Sequence, residues 1–168
     1  MGLLGVARAA WMMRYFGAEN VRVLNGGLKK WEAEGRAVVE NQDIQEVVCS
    51  DGDYDFVAAA GEDLCITDIT EMHKVVEKFY KAEDCSSLDI QIVDARPQGA
   101  FDGGHIKGAI CIPFPGLLNQ DGSMKSCEDI IALYKAAGAS TEKLTYNSCG
   151  IGLSACVNDL AQKLIGVK

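Results

Sequence analysis

At 168 residues the chain is long enough for one ordinary domain, or for one domain and part of another. Its composition, 48% hydrophobic and 24% charged, is that of a soluble globular protein, and no apolar run approaches the roughly 18–20 residues of a membrane span. A formal net charge of −8 argues against a nucleic-acid partner, because neutralising phosphates requires a basic face.

In chain order, "MGLLGVARAAWMMRYF" carries Arg8 and Arg14 and no acid before Glu19. It lacks the serines of a transit peptide, and Val6 stands where a myristoylation signal needs Ser or Thr. Its spacing predicts a helix over residues 6–16 with Val6, Ala9, Ala10, Met13 and Phe16 on the apolar face, ended by Gly17. A short strand is expected at Val21–Leu24, then a Gly-Gly turn, then a helix in "LKKWEAEG" closed by Gly35. Residues 36–63 show no sustained period and many turn formers, so they read as a connecting segment.

A new unit begins near Leu64. Asp68 and Glu71 form a capping box ahead of a helix whose face is Ile69, Met72, Val75, Val76 and Phe79. A buried strand comes next at Ile90–Asp94, and a glycine-bracketed loop, "GHIKGAICIPF", leads to a second near Ile110–Ile112. "SCEDIIALYKAAG" is a helix capped by Ser126 with Asp129 completing its box, "KLTYNS" a third strand, and Ser154–Ile165 a last helix. Alternation of strands and helices predicts an α/β fold with a parallel sheet.

The seven cysteines (Cys49, Cys65, Cys85, Cys111, Cys127, Cys149 and Cys156) are odd in number, and none forms a CxxC pair. With only two histidines, the spacing favours free thiols in a reducing compartment over a metal site. Cys149 is set apart by its neighbours in the chain. It sits at the carboxyl end of a predicted strand, where open α/β sheets bind ligands. Gly150, Ile151, Gly152 and Leu153 then form a loop in which backbone N–H groups can turn inward as a nest, and Ser154 is expected to cap the last helix. Nest and helix dipole both favour an anion, so the Cys149 thiol is expected to ionise readily.

"VDAR", "GHIKGAICIPF" and "SCGIGLSAC", in this order within residues 64–166, resemble the pieces of a rhodanese domain. The likeness is to the tandem branch that includes 3-mercaptopyruvate and thiosulfate sulfurtransferases, and the CGxG loop is nearer the mercaptopyruvate type. Residues 8–36 resemble the closing helix, strand and helix of a preceding, inactive unit. The resemblance therefore implies a fragment truncated at both ends: residues 1–36 closing a first unit, 37–63 a linker, and 64–168 a second unit lacking its final strand and helix. Two readings stay open for the missing strand and helix: a truncated or mis-predicted gene product, or residues 19–35 supplying them in the manner of a circular permutant, which would put Val21–Leu24 in the same sheet as Ile90–Asp94 and Tyr146.

What the resemblance implies about activity is sulfur transfer. Cys149 would take sulfur from a small donor of the thiosulfate or mercaptopyruvate kind, carry it as a persulfide in the Gly150–Ser154 loop, and pass it to a thiol or cyanide. A thioredoxin-like reductant is a further implied partner; no cofactor, metal, nucleic acid or membrane is implied, and the expected location is cytoplasmic or, alternatively, mitochondrial. Asp94, Arg96 and His105 would tie the first strand to the GHI loop in a five-stranded parallel sheet. Two positions depart from the mercaptopyruvate pattern: Ala100 replaces a substrate-gripping arginine, and Ile151 replaces a loop serine. Lys107 is the candidate replacement cation. Phosphatase chemistry on a related fold needs an arginine in the loop, which has none. A catalytically weak or inactive rhodanese-like binding or regulatory module is the alternative reading.

Overall fold

The computed structural model describes residues 2–39 and 66–167. Most of the expected 37–63 linker, together with Cys49, Cys65 and the predicted start near Leu64, lies outside the described residues. In chain order the elements are α1 (Leu3–Tyr15), α2 (Gly27–Ala33), α3 (Ile69–Lys81), β1 (Ile90–Asp94), α4 (Gln98–Asp102), β2 (Ile110–Cys111), α5 (Cys127–Ala136), β3 (Leu144–Ser148) and α6 (Ser154–Leu164), with 3-10 turns at Cys85–Ser87 and Phe114–Leu117. None of these helices is long and apolar enough to cross a membrane.

Among the described residues the sheet has three strands in the order β2-β1-β3, all parallel. β1 is the centre, and its sequence explains why. Successive side chains of a strand point to opposite faces, and Ile92 and Val93 are both fully buried, each in a different apolar cluster. Ile92 packs with Val75 and Phe79 of α3 on one face. Val93 joins Ile130 and Tyr134 of α5, Val157 and Ala161 of α6, and Ala7 of α1 on the other. Gln91 shares the Val93 face yet is satisfied: its amide donates to Ser140 O (2.7 Å) and Thr145 Oγ1 (2.8 Å) and accepts from Ser140 N (2.9 Å).

The caps of α3 and α5 form as their sequences dictate, with Asp68 Oδ1 accepting from Glu71 N and Ser126 Oγ from Asp129 N. α1 differs from expectation in its phase. Ala7 and Ala10 are its buried residues, with Leu3, Leu4 and Trp11 packed against the same cluster, while Val6, Met13 and Phe16 are exposed. This helix is apolar on more than one side, so periodicity alone does not choose the face. The alanines choose it, because small side chains let α1 approach α6 closely. Ile69, likewise expected inside, stands exposed in the first turn of α3.

The expected permuted strand does not form. Residues 20–24 have no strand structure and are not in the sheet. Side chains hold this stretch elsewhere: Arg14 Nη2 donates to Val21 O (3.0 Å), Asn25 Oδ1 accepts from Met124 N (2.7 Å), and Lys30 pairs with Asp121. These bonds fasten residues 21–30 to α1 and to the 118–124 turn, which places Val21–Leu24 away from the ladder that the permutant required.

The docking of α1 is testable. Ala7→Leu should overfill the α1–α6 contact and destabilise the protein by about 1–3 kcal/mol, whereas Ala9→Leu, on the exposed side, should stay within about 0.5 kcal/mol of the parent. Thermal melts of the two variants check this; equal melting temperatures would contradict the observed phase.

Candidate active site

At the carboxyl end of the sheet the three strands finish level. Asp94 is in register with Cys111 on one side and Ser148 on the other. The ladder closes with Ile112 N donating to Asp94 O (2.9 Å) and Ala95 N to Ser148 O (2.9 Å). The next residue of β3's chain is Cys149, which is half-buried.

From Cys149 the chain must turn from strand into helix within a few residues, and Gly152 makes the turn with φ +73°. A side chain there would be strained by that dihedral, and its Cβ would lie 2.5 Å from Arg8 Nη1. In this conformation the Gly152 N–H donates to Cys149 Sγ at 3.0 Å. The hydroxyl of Ser154 and the amides of Ala155 and Ile151 also favour the ionised sulfur. Partial burial by itself would push the Cys149 thiol up, but these four donors outweigh it and hold the thiol below its ordinary value.

Ser154 therefore does something other than cap. It is the first residue of α6; the cap position is Leu153, in αR conformation, with no side-chain capping bond. The hydroxyl instead favours the Cys149 anion. The helix is aimed by buried amides: Asn158 Nδ2 donates to Ile112 O (3.0 Å), and Gln162 and Asn147 exchange bonds of 2.6 and 3.2 Å. These fasten α6 to the ends of β2 and β3, so its N-terminus faces the sulfur.

Cys111 and Cys156 are further thiols near this edge, and they differ from Cys149 in chemistry. Burial pushes the Cys111 thiol up, with Asp94 and Asp102 adding to the effect. Burial likewise pushes Cys156 up, against the opposing charge of Arg8. Of the three thiols, Cys149 alone is lowered.

Asp94, buried under the sheet edge, is gripped by Arg96: Nε lies 3.0 and 2.9 Å from its two oxygens and Nη2 2.7 Å from Oδ2. Arg96 Nη2 also donates to Gly104 O (2.7 Å), so the pair links the end of β1 to the loop before His105. The hydrogen bond to Asp94 holds the Arg96 guanidinium above its ordinary value, with weaker contributions from Cys111 and Cys149, so its charge reaches both thiols. His105 is exposed, stacked on Phe101 (ring centroids 3.7 Å apart) with Nδ1 2.9 Å from Phe101 O; neither contact reaches the cysteine loop. Lys107, expected as a replacement cation, lies instead over the Tyr80 ring and 3.3 Å from the Tyr80 carbonyl. Ile151 stands 79% exposed at the tip of the loop.

Sequence reasoning missed Arg8. Its Nη1 donates to Gly152 O at 2.8 Å, bridging 144 residues, and Cys156 Sγ donates to the same oxygen (3.2 Å). The available signal was a charge in a largely apolar helix whose other charge is Arg14. A cleft of 460 Å³ between α3 and Tyr146 does not include Cys149 and carries mixed charge from Asp68, Glu71, Lys74 and Lys78. Among the described residues no group of His, Cys, Asp and Glu side chains is placed to hold a metal ion.

The sequence profile of the rhodanese-like domain matches residues 76–164. Thiosulfate sulfurtransferase of Gallus gallus is 34% identical over 99% of this chain and 55% of its own length. The 3-mercaptopyruvate sulfurtransferase of Escherichia coli (strain K12) is 28% identical over 98% of this chain and 57% of its own. The crystal structure of SseA from Escherichia coli, a 3-mercaptopyruvate sulfotransferase, superposes with a TM-score of 0.72 at 29% identity, covering 99% of this chain and 60% of that one. The chain thus spans about half the length of the curated relatives it matches.

Alkylation of Cys149 by iodoacetamide, monitored against pH, should show a midpoint below that of a free cysteine. Ser154→Ala removes one donor to the anion, so the midpoint should rise and alkylation near neutrality should slow by about tenfold, the equivalent of one hydrogen bond to a charged group. A midpoint at or above that of a free thiol in the parent protein would contradict the geometry.

Proposed function

The chain belongs to the rhodanese-like domain family, and from that premise we propose that it is a sulfurtransferase which carries sulfane sulfur as a persulfide on Cys149. One observation carries the reading: Gly152 N–H, with the Ser154 hydroxyl and the Ala155 and Ile151 amides, converges on a single half-buried sulfur at the start of α6.

In the first half-reaction the Cys149 thiolate attacks the outer sulfur of the donor. A new S–S bond forms, and the donor's bond to that sulfur breaks with its electron pair leaving on the remainder, which for a thiosulfate is sulfite. In the second, an acceptor thiolate or cyanide attacks the terminal sulfur, and the pair of the broken S–S bond returns to Cys149 as thiolate. Sulfur is exchanged between nucleophiles, and the negative charge stays inside the Gly150–Ser154 loop throughout. Fixed donors that need no reorganisation are suited to that task. Asp94 and Arg96 support the site by holding the end of β1, with His105 in the loop they anchor.

Ile151 bears on the donor. Cleaving a carbon–sulfur bond in a mercaptopyruvate leaves a carbanion that needs a proton, and a serine at the loop tip can assist such a transfer. Isoleucine cannot donate one. Sulfite departs as a stable anion and needs no such help, so the reading favours a thiosulfate-type donor. Small thiols, including those of a thioredoxin-like reductant, fit as acceptors. The five described cysteines are all free, which supports a reducing location, cytoplasmic or mitochondrial.

Thiocyanate formation from cyanide tests the proposal. The parent should turn over thiosulfate with a higher kcat/KM than 3-mercaptopyruvate, and Cys149→Ser should lose activity with both. Turnover that survives the substitution would refute the assigned nucleophile; absence of turnover with any sulfane donor in a folded parent would favour a binding module.

A further inference from the structure

Arg8 lies outside the matched stretch of the rhodanese-like domain, yet it reaches the sulfur loop. Its Nη1 donates to the carbonyl of Gly152, the residue whose own N–H is bonded to Cys149 Sγ. A Cβ added at Gly152 would meet that nitrogen at 2.5 Å, so the guanidinium lies directly against the turn. Cys156 Sγ donates to the same oxygen.

The rest of its surroundings do not explain an arginine. Among the described residues no carboxylate is in salt-bridge contact with Arg8, and its Nε is buried without a hydrogen-bond partner. A cation beside the first turn of α6 also opposes the helix dipole, which favours negative charge there. Packing alone would be served better by an apolar residue, since its neighbours Ala7, Ala10 and Trp11 belong to the apolar cluster. The one thiol whose ionisation its charge favours is that of Cys156, which shares the Gly152 carbonyl with it.

We propose that Arg8 is a positioning residue of the sulfur-transfer site: it pins the Gly152 carbonyl and so keeps the Gly152 amide directed at Cys149. This rests on the sulfurtransferase reading for its purpose, though the positioning itself concerns only the thiol. In consequence the reactivity of Cys149 depends on α1 being docked against α6. If Arg8 is lost, the turn at Gly152 has only the weak Cys156 thiol to hold its carbonyl, and the sulfur loses a well-aimed donor.

The experiment measures Cys149 alkylation by iodoacetamide against pH in the full chain carrying Arg8→Gln, with kcat/KM for thiosulfate determined over the same range. Removing a donor to the anion raises the thiol midpoint. Alkylation near neutral pH should therefore slow by about tenfold, while the rate at high pH, where the thiol is fully ionised, should match the parent. Sulfur transfer should show the same deficit and recover as pH rises. Arg8→Met, which keeps the aliphatic stem, replaces Arg8→Gln should the latter not fold, and Arg8→Lys should restore part of the effect. Ala9→Leu, on the exposed side of α1, is the control and should leave both the melting temperature and the midpoint unchanged. An unchanged midpoint in a folded Arg8 variant, beside a low midpoint in the parent, overturns the role of Arg8 and leaves the sulfurtransferase reading intact. A parent whose Cys149 titrates like a free thiol overturns that reading itself.

Discussion

The hydrogen bond from the Gly152 amide to Cys149 Sγ is the constraint around which the site is built. A sulfur anion at a sheet edge needs donors fixed in advance, and a backbone can aim several at one point only by turning through a left-handed residue. Gly152 supplies that turn at φ +73°, and α6 starts close enough behind it for Ser154 and Ala155 to contribute as well. The same geometry explains why burial does not silence this thiol, as it does Cys111 and Cys156. Charge is favoured at one sulfur and disfavoured at the other two, which sets these cysteines apart without any change of residue type.

A loop of this kind is only as rigid as the elements at its two ends. β3 is fixed by its full register with β1, from Ile90 against Leu144 to Asp94 against Ser148. α6 is fixed by apolar packing of Val157 and Ala161 and by the amide bonds of Asn158 and Gln162. Buried amides of this sort specify pitch and rotation, where apolar contacts alone would tolerate sliding. α1 then closes the outer side of α6, bringing Arg8 to the back of the turn. On the other flank, Asp94 and Arg96 lock the end of β1 to Gly104, so the site is braced from both sides of the sheet edge.

Much of this was legible in the residues. The strand at Ile90–Asp94, the Asp68 and Ser126 caps, the helix after Ser154 and the CGxG turn each arise from a local pattern that tertiary contacts do not override. What was illegible depended on partners distant in sequence. Ser154 reads as a helix cap by type and position, and only the location of the sulfur diverts its hydroxyl. α1 offers two apolar sides, and the choice of Ala7 and Ala10 over Val6 and Met13 is made by the surface of α6. Val21–Leu24 has strand-forming residues, but Asn25 and Lys30 fasten the chain to the 118–124 turn. Arg8 carries only the weak signature of a charge in a largely apolar helix; its significance appears only when residue 152 is brought beside it.

The central claim is that one ionised sulfur, held by backbone donors, accepts another. Mass spectrometry of a digest made after exposure to thiosulfate, with removal of excess donor, tests it most directly. The expected result is the gain of one sulfur atom on the peptide bearing Cys149, reversed by cyanide, with no such gain on the peptide bearing Cys111. Sulfur spread evenly over the protein's thiols, or absent from Cys149, would contradict it.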